Sequence, residues 1–371
     1  MALSPMQKLF TENEPESDVI REQACHFGAD YLGGEWKNVK KEQVKIQQFT
    51  NGQSNFLFHV TASTSATPFL IRIHRQHIGH VFVDTVNFSI FSERGLGPKL
   101  YGFFDGGRLE EYLPSKTMDS DDVLDSEISR RIGAAYPKYH AVPMPISKNR
   151  RAISLMREWL DAYKNLGGGD YPIKKTTITS YTEHPETVSI EDLARELDTF
   201  EKWASVFEDT VVYSHNDLAC GNILELESTK EIIFIDFEFS SYNWRGFDLG
   251  MHLAETAIDY RVPFPPGVKF IEELTDNPPN LQIFCEAYVD SDNKLKNRIP
   301  SDRCSEVSHL VDECLFFWPL THLFWAIWSM EKSLQKFENG VDLDVAAGDR
   351  LAVYFHLRDR SQKIYEKYCK E

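Results

Sequence analysis

The stretch from Val211 to Glu255 constrains the fold more than any other part of the chain. It reads VVYSHNDLACGNILELESTKEIIFIDFEFSSYNWRGFDLGMHLAE, so a short apolar strand, a polar loop, a hairpin and a helical segment follow in order. Short apolar runs bounded by turn-forming residues are typical of buried strands. The stretch therefore predicts polar side chains fixed at the ends of paired strands.

Three oxygen-bearing side chains stand at those ends. Asp217 lies in the polar loop, Asn222 follows five residues later where the hairpin begins, and Asp236 ends the apolar strand that starts at Ile232. Antiparallel pairing would bring Asn222 and Asp236 side by side, and their oxygens suit Mg²⁺. The Asp217 carboxylate could then orient a substrate hydroxyl and accept its proton.

The same spacing occurs in the catalytic loop and metal-binding aspartate of protein kinases. Phosphoryl transfer needs little covalent chemistry from the protein, but it needs metal ions and a fixed geometry. Each of the three residues alone would favour a structural role, in a turn or at a strand end. Together they favour catalysis of phosphoryl transfer, with His215 bracing the loop.

The pattern of apolar residues divides the chain into two parts. Alternation between Val44 and Ile78 predicts antiparallel strands, and a helix ending near Gly95 and two further strands complete a five-stranded sheet. Beyond Pro114 the apolar period is mostly helical. We therefore predict an α+β fold with two lobes. Its divisions are a mobile leader over 1–20, an N-terminal nucleotide-binding lobe over 21–113 and a C-terminal catalytic lobe over 114–371.

The turn between the first two strands is the predicted phosphate-binding loop. Four of its residues could offer backbone N–H groups to phosphate oxygens: Asn51, Gly52, Ser54 and Asn55. An ordinary Asn-Gly hairpin turn is the alternative. Arg72, in the third strand, is the candidate to neutralise phosphate charge, because Arg offers a forked set of donors. Glu93 could orient Arg72, or it could be a solvated charge at a helix end.

The net charge restricts the classes of partner that the protein can bind, and the cysteine content indicates its compartment. With Lys+Arg 40 against Asp+Glu 57, the net charge of −17 would repel nucleic acid and anionic membranes, and it favours a cationic ligand. Six scattered cysteines without a CxxC pair indicate a reduced, cytoplasmic setting. The run Cys314–Met330 lacks charged residues, but it is short for a bilayer span and contains Pro319. It predicts a buried helix rather than membrane insertion.

Several segments resemble the choline/ethanolamine kinases, which are relatives of the aminoglycoside phosphotransferases and the protein kinases. The resemblance rests on HNDLACGNIL, IDFEFSSYNWRGFDLGMHLAE, FSERGLGPKLYGFFDGGRLEEYLPS, YHAVPMP and HLFWAIW, in the family's order. It implies a protein-kinase-like two-lobe fold, ATP as cosubstrate and Mg²⁺ as cofactor. It also implies Asp217 as the catalytic aspartate, and Asn222 and Asp236 as metal ligands. Family members commonly dimerise, so a homodimer is a candidate assembly.

The resemblance also implies where the two substrates bind. It places adenine against Glu111 and Leu113, with Arg72 on the phosphates. It places the amino-alcohol near Asp217, in a pocket made by Glu255, Tyr260, Trp325 and Trp328. Aromatic faces attract a quaternary ammonium, and carboxylates supply charge without needing hydrogen bonds from it. From the sequence pattern alone, packing in the core remains the alternative for the two tryptophans, which share one helix face.

The implied activity is that of a choline kinase, which converts ATP and choline into phosphocholine and ADP for phosphatidylcholine synthesis. SSYNWRGFD resembles the choline branch, whereas HLFWAIW looks closer to ethanolamine kinases, so an ethanolamine or dual-specificity kinase is the alternative. Thr50 and Asn51 stand where the family's phosphate loop usually has a basic residue and paired glycines, which raises a pseudokinase as a further alternative. An antibiotic-type phosphotransferase shares only the Asp217 motif. The segment after Trp328 is expected to lack the aromatic residues of the pocket's rim.

Overall fold

The computed structural model describes residues 3–49, 55–74 and 78–370. Its contacts form two compact units, the first of Met1–Lys116 with Leu226–Glu238 and the second of Thr117–Glu225 with Phe239–Glu371. The sequence had placed the change of lobe at residue 113. The first unit instead reaches Lys116 and includes a later segment of the chain.

Helices and short strands alternate along the described chain. The helices are α1 Pro5–Glu12, α2 Asp18–Phe27, α3 Ile78–Glu93, α4 Ser120–Leu124, α5 Ser126–His140, α6 Ala152–Asn165, α7 Ile190–Trp203, α8 Arg245–Glu255, α9 Glu272–Thr275, α10 Leu281–Leu295, α11 Arg303–Leu334 and α12 Leu343–Tyr368. The strands are β1 Val44–Phe49, β2 Asn55–Ala62, β3 Phe69–His74, β4 Leu100–Phe104, β5 Gly107–Glu111, β6 Ser115–Thr117, β7 Tyr171–Pro172, β8 Thr187–Val188, β9 Val211–Ser214, β10 Ile223–Leu226, β11 Ile232–Phe234, β12 Ser241–Trp244, β13 Ile258–Asp259 and β14 Lys269–Phe270.

The first unit is built on an antiparallel sheet with strand order β1-β2-β3-β5-β4. Val44 pairs with Ala62 across β1 and β2, and Phe69 pairs with Glu111 across β3 and β5. Alternation along β2 buries Phe58 in the core of this unit, because successive side chains of a strand point to opposite faces. The sheet and α3 confirm the predicted five-stranded sheet and its helix, but α1 and α2 also pack on this unit, so the prediction of a single helix was too low.

The N-terminal segment is helical, although the sequence led us to expect a mobile leader over residues 1–20. Ser4 and Gln7 form a capping box at the start of α1, which satisfies backbone donors of its first turn. Phe10 is 3% exposed and lies in the same core as Phe58. The Gln7 side chain also donates to the His74 carbonyl at 2.7 Å. Pattern alone missed this helix because it has only one buried position.

The second unit packs its helices around α11 and α12. Among the described residues, α11 is the one helix long and apolar enough to cross a membrane, and 83% of its most apolar window is buried inside the protein. Helices that are apolar on all sides are typical of protein cores as well as membranes. The burial of Phe316, Phe317 and Phe324 confirms the buried helix expected from the sequence.

The segment 167–187, which we expected to be a surface connection, is fastened to α12. The fully buried Asp349 carboxylate accepts hydrogen bonds from the backbone N–H of Thr176 at 2.7 Å and of Thr177 at 2.9 Å. A Cβ atom at Gly348 would lie 2.3 Å from the Lys174 carbonyl oxygen, so the close approach requires glycine. The sequence of this segment has no apolar period that would predict a fixed structure. The Asp349 side chain, from a helix far along the chain, fixes it instead.

Candidate active site

The loop after β9 carries Asp217, and its shape depends on two neighbouring amides. Asn216 adopts φ 63°, a left-handed conformation that Asn tolerates better than most residues. The Asn222 side-chain nitrogen donates to the Asp217 carbonyl at 2.8 Å and lies 3.4 Å from its carboxylate oxygen Oδ2. These bonds turn the carbonyl end of the Asn222 amide away from Asp217. The half-buried Asp217 and Asn222 are therefore brought together.

Asp248, on α8, holds the same loop from beneath. Its carboxylate accepts from the backbone N–H of His215 at 2.8 Å and of Asn216 at 2.7 Å, and it lies 3.0 Å from His140 Nε2. Burial by itself would raise the pKa of Asp248, but the hydrogen bond and charge of His140 and the backbone donors lower it. An ionised carboxylate thus fixes the backbone directly before Asp217.

Asp236, in the first unit, follows β11 with φ 66°. Helix α3 fixes the next residue, because Asn87 Nδ2 donates to the Phe237 carbonyl at 3.1 Å and Phe91 packs on the Phe237 ring at 4.2 Å between centroids. The two contacts define the direction in which the chain leaves β11. Helix α3 therefore positions the Asp236 backbone, a role that the sequence did not reveal.

A buried ion network surrounds Arg72 on the five-stranded sheet of the first unit. Arg72 Nε donates to Glu110 Oε1 at 2.5 Å, Arg108 Nε donates to the same oxygen at 2.6 Å, and Arg108 also pairs with Asp84 of α3. Glu93, by contrast, is exposed at the end of α3 and does not orient Arg72. The second alternative for Glu93, a solvated charge, is the one that the structure supports.

The pKa values of this network follow from two opposing effects. Burial by itself would lower the pKa of Arg72, but the charges of Glu110, Asp236 and Asp84 raise it above its ordinary value. Burial would likewise raise the pKa of Glu110, yet Arg72 and Arg108 lower it to about 2. Arg72 and Glu110 therefore stay charged at neutral pH, and the Asp236 carboxylate lies within electrostatic reach of Arg72.

The remaining residues predicted for the nucleotide lie along the sheet. Asn55 begins β2, and its Oδ1 is 3.2 Å from His74 Nδ1. Asn51, Gly52 and Ser54 lie outside the described residues, so their predicted phosphate contacts stay predictions. Glu111 is the last residue of β5, and its N–H donates to the Lys99 carbonyl at 2.8 Å.

Leu113, two residues beyond β5, presents a backbone carbonyl that accepts from the Ser115 hydroxyl at 2.9 Å. Both Glu111 and Leu113 are half-buried. The backbone N–H of Glu111 thus already has a partner inside the sheet. Contacts of adenine with this pair stay a prediction.

In the second unit, Trp325 and Trp328 form one aromatic corner. Their ring centroids are 5.5 Å apart at 90°, and Trp325 Nε1 lies 2.9 Å from the Met251 sulfur. Phe337 packs on Trp328 with centroids 5.9 Å apart. The segment that was expected to lack the family's rim aromatics thus still places one aromatic ring against Trp328. At 9% exposure Trp325 is largely a core residue, whereas Trp328 is half-buried.

Glu255 and Tyr260 meet in the same unit, and a residue that the sequence did not single out joins them. The Tyr260 hydroxyl donates to Glu255 Oε2 at 2.8 Å, and Arg350 donates to Glu255 Oε1 at 2.9 Å. Partial burial and the Glu255 carboxylate raise the pKa of Tyr260 well above its ordinary value, and the charge of Asp217 adds to the rise. Asp217 thus lies within electrostatic reach of Tyr260, one of the residues predicted to bind the amine.

The donor set suits Mg²⁺, although within the described ranges no group of three or more His, Cys, Asp or Glu side chains could hold a metal ion. Mg²⁺ is commonly bound by one or two protein oxygens together with substrate phosphates and water. In the second unit the Asn222 amide nitrogen is turned to Asp217, which leaves its carbonyl oxygen for a metal ion, and in the first unit Asp236 offers a carboxylate of the type that Mg²⁺ prefers. Their assignment as ligands stays a prediction.

Known proteins resemble this chain over nearly its whole length. The family model of choline/ethanolamine kinase matches residues 46–355. Choline kinase B1 of Caenorhabditis elegans is 65% identical over 365 residues, which cover 98% of each chain. Human choline/ethanolamine kinase is 30% identical and covers 92% of this chain, which in turn spans 87% of the human protein.

Two solved structures share the fold. A choline kinase from Cryptosporidium parvum has a TM-score of 0.71 at 19% identity and covers 93% of this chain, which in turn covers 96% of it. An ethanolamine kinase from Plasmodium vivax has a TM-score of 0.68 at 17% identity, with 94% and 90% covered. These similarities confirm the predicted protein-kinase-like α+β fold. The chain belongs to the choline/ethanolamine kinase family.

Proposed function

We propose that this protein is a choline kinase, which transfers the γ-phosphate of ATP to the hydroxyl of choline and releases phosphocholine and ADP. The observation that carries the proposal is the aromatic corner of Trp325 and Trp328, in the unit that also holds Asp217 and Glu255. Such a corner suits a quaternary ammonium, which has no N–H to donate and is attracted by aromatic faces. The similarity to C. elegans choline kinase B1 supports the same substrate.

In the proposed mechanism Asp217 orients the choline hydroxyl and accepts its proton as the new P–O bond forms. Asp248 and Asn222 hold the loop, so the carboxylate is in place before the substrates arrive. Asn222 and Asp236 would hold Mg²⁺, which when bound with ATP neutralises phosphate charge and polarises the γ-phosphate. Direct in-line transfer needs no covalent intermediate on the protein.

On the nucleotide side, Arg72 is the proposed partner of the phosphates. Its guanidinium is fixed by Glu110 and lies within electrostatic reach of Asp236, a proposed ligand of the metal ion that would bind with ATP. Glu111 and Leu113 are proposed to contact adenine through their backbone. Asn51, Gly52, Ser54 and Asn55 are proposed to contribute N–H groups to the phosphates.

The test is a panel of small amines with ATP and Mg²⁺, read out as ADP formation by the purified protein. We expect choline to give the highest kcat/KM, and Trp328→Ala to raise the KM for choline about tenfold by removing one aromatic wall. Leu166→Ala, at an exposed apolar side chain, is the matched control. A higher kcat/KM for ethanolamine than for choline would identify an ethanolamine kinase instead. If no amine of the panel supports ADP formation, both activities are excluded.

We also propose a cytoplasmic location and a homodimer. All six cysteines are free thiols, and Cys285 and Cys314 remain unbridged although their sulfurs are 3.9 Å apart in the core. Unbridged neighbouring thiols are expected in a reducing compartment. The dimer follows from the family resemblance alone. Light scattering of the purified protein would test it, and a monomer at micromolar concentration would exclude it.

A further inference from the structure

Arg350 closes a triangle of hydrogen bonds with Glu255 and Tyr260. It lies on α12, is 5% exposed, and donates to Glu255 Oε1 at 2.9 Å and to the Tyr260 hydroxyl at 3.0 Å. The Tyr260 hydroxyl donates to Glu255 Oε2 at 2.8 Å. Each oxygen of the Glu255 carboxylate therefore already has a donor from the protein.

The triangle also balances charge. The Arg350 and Glu255 side chains are 6% and 5% exposed, so the ion pair is shielded from water and strongly coupled. Arginine stays protonated in proteins, and Glu255 next to it gains a fixed counter-charge. The Arg350 guanidinium also lies 5.6 Å from the Phe270 ring centroid, which holds it in place. Together, Glu255 and Arg350 therefore contribute no net charge to the amine pocket.

A compensated carboxylate affects two kinds of ammonium differently. A primary ammonium carries three N–H donors, which can approach a carboxylate closely. On binding, these donors lose their hydrogen bonds to water and need acceptors on the protein in exchange. A quaternary ammonium has no N–H donors, and its methyl groups keep the charge farther from any oxygen. Pairing of the carboxylate with Arg350 therefore weakens the attraction of a quaternary ammonium less than that of a primary one. The half-buried ring of Trp328 can still attract the quaternary ammonium.

We propose that Arg350 is a positioning residue that sets amine selectivity. By occupying Glu255, it disfavours a primary ammonium such as that of ethanolamine relative to a quaternary ammonium such as that of choline. This inference rests on the proposed function, since it concerns the same pocket and the same two amines.

The experiment compares kcat/KM for ethanolamine and for choline in four variants of the full chain. In Arg350→Met the uncompensated Glu255 should accept the primary ammonium, and the ethanolamine-to-choline ratio should rise about tenfold, the effect of one hydrogen bond to a charged group. Arg350→Lys keeps the cation and should stay within about threefold of the wild type. Isothermal titration with each amine should show the same ratio in the dissociation constants.

Two further variants separate selectivity from folding, because Arg350→Met leaves a buried charge without its partner. Tyr260→Phe changes a residue that is 39% exposed and removes only the donor to Oε2, so it should fold and shift the ratio about threefold in the same direction. Glu255→Gln with Arg350→Met removes both charges and should show no rise in the ratio. Thermal melting reports which variants are folded.

The outcomes are distinct. An unchanged ratio in folded Arg350→Met or Tyr260→Phe, or a shift toward choline, overturns the inference and leaves the proposed kinase intact. If Arg350→Met does not fold, the ratio in Tyr260→Phe decides. A wild type that phosphorylates neither amine overturns the proposed function, and the inference with it.

Discussion

Asp217 lies in a loop that has a left-handed backbone conformation and is hydrogen-bonded to the side chain of Asp248. The left-handed Asn216 directly precedes it, and the Asp248 carboxylate binds the backbone of both preceding residues. Such bonds offset the cost of an unfavourable backbone conformation and fix the direction of the following side chain. At the scale of single residues, the position of the proposed catalytic carboxylate therefore depends on the neighbouring Asp248 side chain.

The first prediction concerns the proposed base. Asp217→Asn keeps the shape of the side chain but cannot accept the proton, so kcat should fall by about 10²–10⁴-fold while the KM for ATP changes little. Asp359→Asn, at an exposed aspartate, is the control and should retain wild-type turnover. Steady-state kinetics with choline and ATP measure both constants. Wild-type turnover in Asp217→Asn would exclude proton transfer to this residue.

The second prediction concerns Glu110, which is 2% exposed between two arginines. Removing one partner of a buried ion network leaves the others uncompensated, so Glu110→Gln should lose about 3–5 kcal/mol of unfolding free energy at pH 7. Urea unfolding measures it. Glu93→Gln, at an exposed glutamate, should lose almost none.

The pH dependence of that loss has a definite sign. Arg72 and Arg108 lower the pKa of Glu110 from 4.5 to about 2, against the effect of burial. The resulting stabilisation is fully present above pH 4.5 and is lost as the pH falls toward 2. The difference in stability between wild type and Glu110→Gln should therefore shrink below pH 4.5. A difference that stays constant down to the acid limit of folding would contradict the ion network.

At the scale of secondary-structure elements, α12 links a connecting segment to the amine residues. Asp349 holds the backbone of Thr176 and Thr177, while the next residue, Arg350, binds Glu255. Backbone N–H groups that are shielded from water need acceptors. The part-buried N–H groups of Thr176 and Thr177 both find theirs in the Asp349 carboxylate. The helix thus determines the conformation of a segment that has little regular structure.

The third prediction tests this anchor. Asp349→Ala leaves the N–H groups of Thr176 and Thr177 without their acceptor, so the unfolding free energy should fall by about 2–4 kcal/mol. Limited proteolysis should cleave within 171–181 faster than in the wild type. Asp359→Ala, on the same helix but exposed, should change neither. Unchanged protection of the segment in Asp349→Ala would show that other contacts fix it.

At the scale of the whole molecule, a net charge of −17 opposes an anionic nucleotide. Binding therefore requires local positive charge that outweighs the field of the rest of the protein. Arg72 and a phosphate-bound metal are the proposed sources, and the carboxylates that surround them keep the arginine charged and in place. The same acidic surface attracts the cationic amine.

The fourth prediction follows from that balance. Ligands that bind only the folded state stabilise it, by about 2.7 kcal/mol at a concentration of 100 times Kd. Mg²⁺ with ATP should therefore raise the melting temperature of the wild type, and Asp236→Ala should lose the part that depends on Mg²⁺. Asp105→Ala, at an exposed aspartate of the same unit, is the control. An equal Mg²⁺-dependent shift in Asp236→Ala would exclude it as a metal ligand.

The sequence by itself determined the features that depend on local pattern. The alternation in β1 to β3 predicted the sheet, and the long apolar run predicted α11. Periodicity and short-range spacing are properties of the chain itself, so they can be read before it folds.

Only the tertiary structure decided which charged residues are buried and paired. Along β5 the sequence GRLEE is typical of an exposed strand, yet Arg108 and Glu110 are buried because Asp84 and Arg72 approach from elsewhere in the chain. Arg350 likewise pairs with Glu255, 95 residues away. Burial of a charge is favourable only when its partner is present, and that partner is fixed by folding rather than by the local sequence.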